Sequence, residues 1–323
     1  MQFLVTGAAG FIGSQICERL IADGHQVVGL DCFTDYYSRE LKTANLVNLK
    51  TQAGFQLLER DINSAHLPTL LAGTDVVIHL AAQAGVRHSW GRSFEEYIHN
   101  NIAATQKLLE AMKDFAACRL VYASSSSVYG DAEAFPTREN SLCRPVSPYG
   151  VSKLAAENLC WLYYKNFNVD TVSLRFFTVY GPRQRPDMAF HRFIRAMLEE
   201  REITILGDGG QSRDFTFVSD IVDGVLAASY EPRTRGGIFN LGGGNQVNIN
   251  QVIFIMEDRL ALKAKIAHKL EAKGDVRATA ADISRAEEKF GFKPRVKLED
   301  GLQAEMDWLQ QNLALIQKAE ANG

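Results

Sequence analysis

Three glycines at every third position, Gly7, Gly10 and Gly13, stand between a short apolar run, Phe3 to Thr6, and an amphipathic stretch from Phe11 to Ala22. A strand that turns at once into a helix needs a residue without a side chain at the turn. It needs a second where the backbone approaches a bound group, and a third where helix and strand pack closely. The helix then aims its free N–H groups and positive end at an anion, which suits a dinucleotide pyrophosphate. The next apolar run, Val27 to Leu30, closes on Asp31. A carboxylate there accepts hydrogen bonds from an adenosine ribose and repels a 2′-phosphate, so NAD is expected over NADP. Asp61-Ile62 ends the third candidate strand and Leu80-Ala81-Ala82 the fourth, in reach of adenine and the dinucleotide bridge.

The rhythm continues for about 175 residues. Strands are expected at 3–6, 27–30, 55–59, 76–80, 120–124 and 171–175, with helices at 11–22, 67–71, 94–115 and 149–167. Alternation of this kind specifies an α/β fold with a doubly wound, Rossmann-like parallel sheet. A smaller C-terminal substrate-binding lobe is expected to cover the carboxyl ends of the strands. The boundaries read as 1–180 for the NAD-binding domain, with 213–241 returning to it, and 181–212 plus 242–323 for the lobe.

A net charge of -3 argues against nucleic acid as a partner. Cys17, Cys32, Cys118, Cys143 and Cys160 show neither Cys-x-x-Cys nor a histidine at ligand spacing, so reduced thiols and no metal are expected. His79 ends a buried strand and reads as a satisfied core histidine. No apolar run approaches membrane-spanning length, and the first residues lack a basic segment followed by a long apolar one, which leads to the expectation of a soluble, cytoplasmic protein.

Tyr149 and Lys153 are four apart and share one helical face, with a serine run, Ser124 to Ser127, upstream. An ammonium near a phenol, with a cationic nicotinamide if one is present, favours phenolate and makes a base; a serine hydroxyl can relay the proton. Taken alone, the pair also fits an exposed helix surface.

With these residues in view the chain resembles the extended short-chain dehydrogenase/reductase family, in its nucleotide-sugar epimerase and dehydratase branch. The likeness rests on Gly-x-x-Gly-x-x-Gly, Asp31, His79-Leu80-Ala81-Ala82, Ser-Ser-x-x-x-Tyr-Gly, Tyr-x-x-x-Lys and the run Arg213 to Val218. The resemblance implies Tyr149 as general base, Lys153 as its tuner and holder of the nicotinamide ribose, and Ser125 as the reacting hydroxyl. It also implies Asn101 packed near the cofactor and the backbone around Phe176 beside the nicotinamide. Arg213 resembles the family's diphosphate-binding arginine and Asp275 its ribose-binding carboxylate. Ala272 stands where several galactose-type epimerases carry an arginine, which leaves Arg185 and Arg192 as candidates for the remaining phosphate contact. Helices 94–115 and 149–167 pair across a two-fold axis in such proteins, so a homodimer is expected.

Dehydratases of the branch place Asp-Glu directly after the reacting hydroxyl; here Ser126 and Ser127 stand there. Without a second acid or base, the available chemistry is oxidation at one carbon, rotation of the keto sugar and return, hence epimerisation with NAD retained. The stretches Ala82 to Arg87 and Arg175 to Ala189 look more like UDP-glucuronate 4-epimerases than UDP-glucose 4-epimerases, which usually carry Asn where Thr178 stands. Ser126, Ser127, Thr178, Arg185 and Arg87 offer hydroxyls and cations for a uronate carboxylate. Oxidation makes a β-keto acid, so these donors are expected to hold the carboxylate out of the decarboxylating alignment. A UDP-glucose 4-epimerase, an epimerase of relaxed specificity, and a non-catalytic NAD-sensing scaffold stay open as alternatives.

Overall fold

Residues Val76–His79 and Arg119–Ser125 are buried on every side chain, and strands apolar on both faces require layers on both sides of their sheet. The computed structural model describes residues 1–270 and 274–321. Its central sheet contains β1 (Gln2–Thr6), β2 (Gln26–Asp31), β3 (Phe55–Glu59), β4 (Val76–His79), β5 (Arg119–Ser125) and β6 (Asp170–Phe176). After the short β7 (Val179–Tyr180), β8 (Glu202–Leu206), β9 (Ser212–Asp214) and β10 (Thr216–Phe217), strand β11 (Ile238–Leu241) completes it. All pairings are parallel, in the order β11-β6-β5-β4-β1-β2-β3. The fold is a Rossmann-like, doubly wound α/β fold, and strand order reverses between β1 and β4.

Side chains alternate across β1. Phe3 and Val5 enter a core with Ile16 and Leu20 of α1 (Phe11–Ala22) and Ile221 and Val225 from further along the chain. Leu4 enters the opposite one with Leu67, Leu108 and Cys160. The chain adds α2 (Arg39–Ala44), α3 (Leu67–Leu71), α4 (Phe94–Tyr97), α5 (Ala104–Met112) and α6 (Pro148–Phe167). It ends with α7 (Ala189–Leu198), α8 (Val218–Tyr230), α9 (Ile249–Leu260), α10 (Ser284–Phe290) and α11 (Leu298–Ala321), among which β12 (Gln246–Asn248) and β13 (Lys265–Lys269) pair with β9 and β8. A third core joins α7, α9 and α11 through Phe190, Ile194, Val252, Met256, Leu302 and Met306.

Two local features position the site. The single helix expected over 94–115 is instead α4 and α5 joined by a π-helical turn, Ile98–Ala103, the kind of widening found at functional sites. On it, the buried Asn101 accepts from the Gln83 amide at 2.7 Å and donates to the Gln83 carbonyl at 3.0 Å. α6 begins one residue before Tyr149, where the Ser147 hydroxyl accepts from the Gly150 amide at 3.1 Å and Pro148 takes the first helical position. A Cβ on Gly150 would stand 2.5 Å from the Ser127 carbonyl oxygen, so glycine lets α6 press its first turn onto the serine loop.

Candidate active site

A cavity of about 220 Å³ opens at the carboxyl ends of the strands, where their order reverses. Gly7, Gly10, Phe11, Ile12 and Gly13 line it, with Asp31, Asp61 and Ile62 and with Leu80, Ala81 and Ala82. Tyr149, Lys153 and Phe176 line it too. A Cβ on Gly13 would lie 2.1 Å from the Gly7 oxygen, and one on Gly7 2.9 Å from the Ala81 nitrogen. Asp31 accepts from the Ala9 amide at 2.9 Å and the Phe33 amide at 2.8 Å, which pins the glycine loop and leaves further lone pairs. Burial works against the charge of Asp61, but hydrogen bonds from His99 and Asn63 hold its pKa below the usual value.

Of the residues assigned to the cofactor from sequence, Asn101 alone does not line this cavity; its neighbour Asn100 does. Asn101 acts one layer back. Besides gripping Gln83, it donates to the Ser152 hydroxyl at 2.8 Å, which donates to the Tyr149 carbonyl at 2.8 Å. A run of hydrogen bonds leads to it from β1. The Ala81 amide donates to Thr6 Oγ1 (3.1 Å), Thr6 to His79 Nδ1 (2.7 Å), His79 Nε2 to Thr105 Oγ1 (3.0 Å), and Thr105 to the Asn101 carbonyl (2.7 Å). Each hydroxyl has one proton, so His79 carries its proton on Nε2; burial, with the Lys153 charge, lowers its pKa to about 3.

A second cavity of about 1030 Å³ continues from the first, sharing Tyr36, Ser124, Tyr149, Phe176 and Arg185 with it. Tyr149 stands at the junction. Burial raises its phenol pKa, while a hydrogen bond from Ser125 and the positive charge of Arg185 pull it down. The sequence pointed to Lys153 for that pull. The buried Lys153 lies over the Tyr122 ring at 4.5 Å, and burial lowers its own pKa to about 8 against opposing effects of Cys160 and Glu157. Glu157, one further turn along α6, accepts from Ser124 at 2.6 Å and from the buried Arg175 at 2.6 Å and 2.9 Å, which fixes the strand end carrying Ser125. Ser125 Oγ also accepts from the Ser127 amide at 3.1 Å.

Every residue assigned to the substrate from sequence lines the larger cavity. Ser126, Ser127, Thr178 and Arg185 lie with Tyr149 and Ser125 along its wall, and Arg192 is an exposed residue of α7. Arg87 donates to Asp275 at 2.8 Å, and Arg213 donates to the Ser212 carbonyl at 2.8 Å. Burial lowers the Arg213 pKa; Asp275 and Asp131 support its charge and Arg87 opposes it. Ala272 falls outside the described residues. Sequence reasoning missed Tyr36, Lys42 and Asp187: Tyr36 sits in the irregular stretch after Asp31, which has no periodicity to read, and Lys42 on the short helix α2 that follows it.

The profile of the NAD dependent epimerase/dehydratase family matches residues 3–242. The chain belongs to that family. Among relatives of this epimerase/dehydratase, UDP-glucuronate 4-epimerase of Thermodesulfobacterium geofontis is 42% identical over 97% of the chain and 98% of its own length. A Bacillus subtilis protein described as the uncharacterized UDP-glucose epimerase YtcB is 45% identical over 96% of the chain and 98% of its own. UDP-glucuronic acid 4-epimerase from Bacillus cereus, solved in complex with UDP-glucuronic acid and NAD, superimposes with a TM-score of 0.94 at 45% identity, covering 96% of this chain and 99% of that one. NAD is the family's cofactor, and the residues fit it: the cradle admits backbone alone at Gly7 and Gly13, and Asp31 has acceptors to spare. Among the described residues no cluster of three His, Cys, Asp or Glu side chains could hold a metal ion, and no helix is long and apolar enough to cross a membrane.

Proposed function

We propose that this protein is an NAD-dependent UDP-glucuronate 4-epimerase, converting UDP-glucuronate to UDP-galacturonate and back. The observation that carries the reading is the junction of the two cavities, where Tyr149 meets Ser125 beside hydroxyls and an arginine, with serines in place of the dehydratase acid pair. Bound NAD supplies the reversible oxidant that takes hydrogen from the sugar's fourth carbon and gives it back. Tyr149 takes the hydroxyl proton and returns it, Ser125 donates to the phenol oxygen and holds the reacting oxygen, and Lys153 and Arg185 supply positive charge. Arg213, with Arg192, grips the diphosphate, and Asp275 meets the nucleotide ribose. Ser126, Ser127 and Thr178 receive the uronate carboxylate and keep its bond out of line with the keto group, which preserves the carboxylate.

In this reading residues 1–180 with 213–241 hold the cofactor, and 181–212 with 242–323 hold the nucleotide sugar. Exposed Val151, Trp161, Leu162 and Phe167 on α6 support a homodimer through that helix, and the cytoplasm is the expected location. The test is incubation of purified protein, without added cofactor, with UDP-glucuronate and separately with UDP-glucose, resolving products by chromatography and NMR. Conversion of UDP-glucuronate alone supports the reading; turnover of UDP-glucose alone makes the protein a UDP-glucose 4-epimerase and overturns it.

A further inference from the structure

Tyr36, Asp187 and Arg185 meet where the two cavities join, and no step above uses Asp187. Arg185 donates from Nε to Asp187 Oδ1 and from Nη2 to Oδ2, each at 2.9 Å, and the Tyr36 hydroxyl donates to Oδ2 at 3.1 Å. Two parallel hydrogen bonds from one guanidinium edge to one carboxylate make the strongest form of this ion pair. The side chains are 23% and 36% exposed, so the pair faces the cavity rather than the core. A Cβ on Gly85 would stand 2.2 Å from the Tyr36 hydroxyl oxygen, which shows how closely backbone packs behind that donor.

The loop carrying the pair is held on several sides. The Gly181 amide donates to Glu305 at 2.7 Å, Gln15 donates to the Pro182 carbonyl at 2.9 Å, and Arg183 donates to Glu18 at 2.8 Å. Gln184 accepts from the His191 amide at 3.0 Å. With the backbone anchored, the adjustable part is the partner of the Arg185 side chain. Burial raises the phenol pKa of Tyr36, Tyr37, Tyr97 and Tyr149; the charge of Arg185 pulls against that rise at each, while Asp187 opposes it at Tyr36 and Tyr37.

We propose that Asp187 is a specificity-determining residue, an internal counter-ion that competes with an anionic group on the sugar for the Arg185 guanidinium. The inference rests on the uronate reading above. A neutral hexose has nothing with which to displace a carboxylate from its bidentate partner, so the ion pair stays closed and Arg185 contributes nothing to that ligand. A hexuronate exchanges one carboxylate for another and gains the cation. Asp187 thereby also masks part of the charge that favours phenolate at Tyr149.

The experiment compares wild type with Asp187→Asn and Asp187→Ala, each checked for an unchanged melting temperature, with Asp187→Ala deciding if the first variant misfolds. Calorimetric dissociation constants are measured for UDP-glucuronate and UDP-glucose. Removing the internal anion is expected to tighten UDP-glucuronate by about tenfold and to change UDP-glucose by less than about twofold; the shared UDP cancels in the ratio. Weaker uronate binding, or equal changes for both ligands, overturns the proposal. The pH profile of kcat/KM is recorded on whichever nucleotide sugar is turned over, and its acid limb is expected to move to lower pH because an unmasked Arg185 favours the phenolate. An unmoved limb also overturns it. A wild type that turns over only UDP-glucose sinks the uronate reading by itself, and the pH limb then still decides whether Asp187 masks Arg185.

Discussion

Gly13 and Arg185 both line the cleft and do their work in opposite ways. Around Gly13 the cavity is shaped by backbone: a strand, a turn and a helix packed so closely that a single added carbon would strike the Gly7 carbonyl at 2.1 Å. Around Arg185 it is shaped by long side chains, three of whose cations are already answered by the chain's own carboxylate or carbonyl, Arg185 by Asp187, Arg87 by Asp275 and Arg213 by the Ser212 oxygen. The difference teaches that the glycine cradle is preorganised, whereas the arginines around Arg185 must, on the proposal above, bind by exchange. Preorganised sites lose function through strain, and exchange sites change their preferences through charge.

The junction belongs to both regions, so its loss should be greatest. Tyr149→Phe is expected to lower kcat by about 10³-fold with melting temperature and retained NAD unchanged; a tenfold effect would move the proton elsewhere. Gly13→Ala should show the strain of the glycine cradle, costing about 1–3 kcal/mol of stability and releasing NAD, read by denaturation and by the cofactor's absorbance. Arg213→Ala should leave folding and NAD content intact and raise KM for the nucleotide sugar by about tenfold or more. A melting loss as large as that of Gly13→Ala would erase the contrast between the two regions. Replacing Ser127 and Thr178 by Ala and Val should redirect part of the product to a UDP-pentose; an unchanged product partition would dismiss their role in guarding the carboxylate. The smallest effect concerns Lys153. Burial holds its pKa at about 8, so it sheds charge as pH rises through that value, and NAD affinity should weaken between pH of about 7 and about 9. Lys153→Gln should flatten that dependence.

The same contrast explains what could be read in advance. Strand alternation, the glycine turn and the four-residue step from Tyr149 to Lys153 are local and periodic, so β1 to β6, α1 and α6 fall within a residue or two of expectation. The π-helical turn was hidden, because Asn101 takes its role from Gln83 and Ser152, far off in sequence. Tyr36 and Asp187 were hidden likewise: 151 residues separate them, and neither lies in a repeating pattern. The arginines were legible as candidates by family likeness, but their in-chain partners were not, since an ion pair across a cleft leaves no period in the text.

One consequence follows from the run of hydrogen bonds between β1 and α6. Each donor in it hands on in the same order, from the Ala81 amide through Thr6, His79 and Thr105 to the Asn101 carbonyl, and from the Asn101 side chain through Ser152 to the Tyr149 carbonyl of α6. Turning any one of these hydroxyls would set donor against donor, so the set behaves as a polarised cable with one permitted sense. Dipoles aligned in series reinforce each other. The sheet therefore does more than carry the helix that holds Tyr149: through Asn101 and Ser152 it fixes which way the hydrogen bonds of that helix's first turn point.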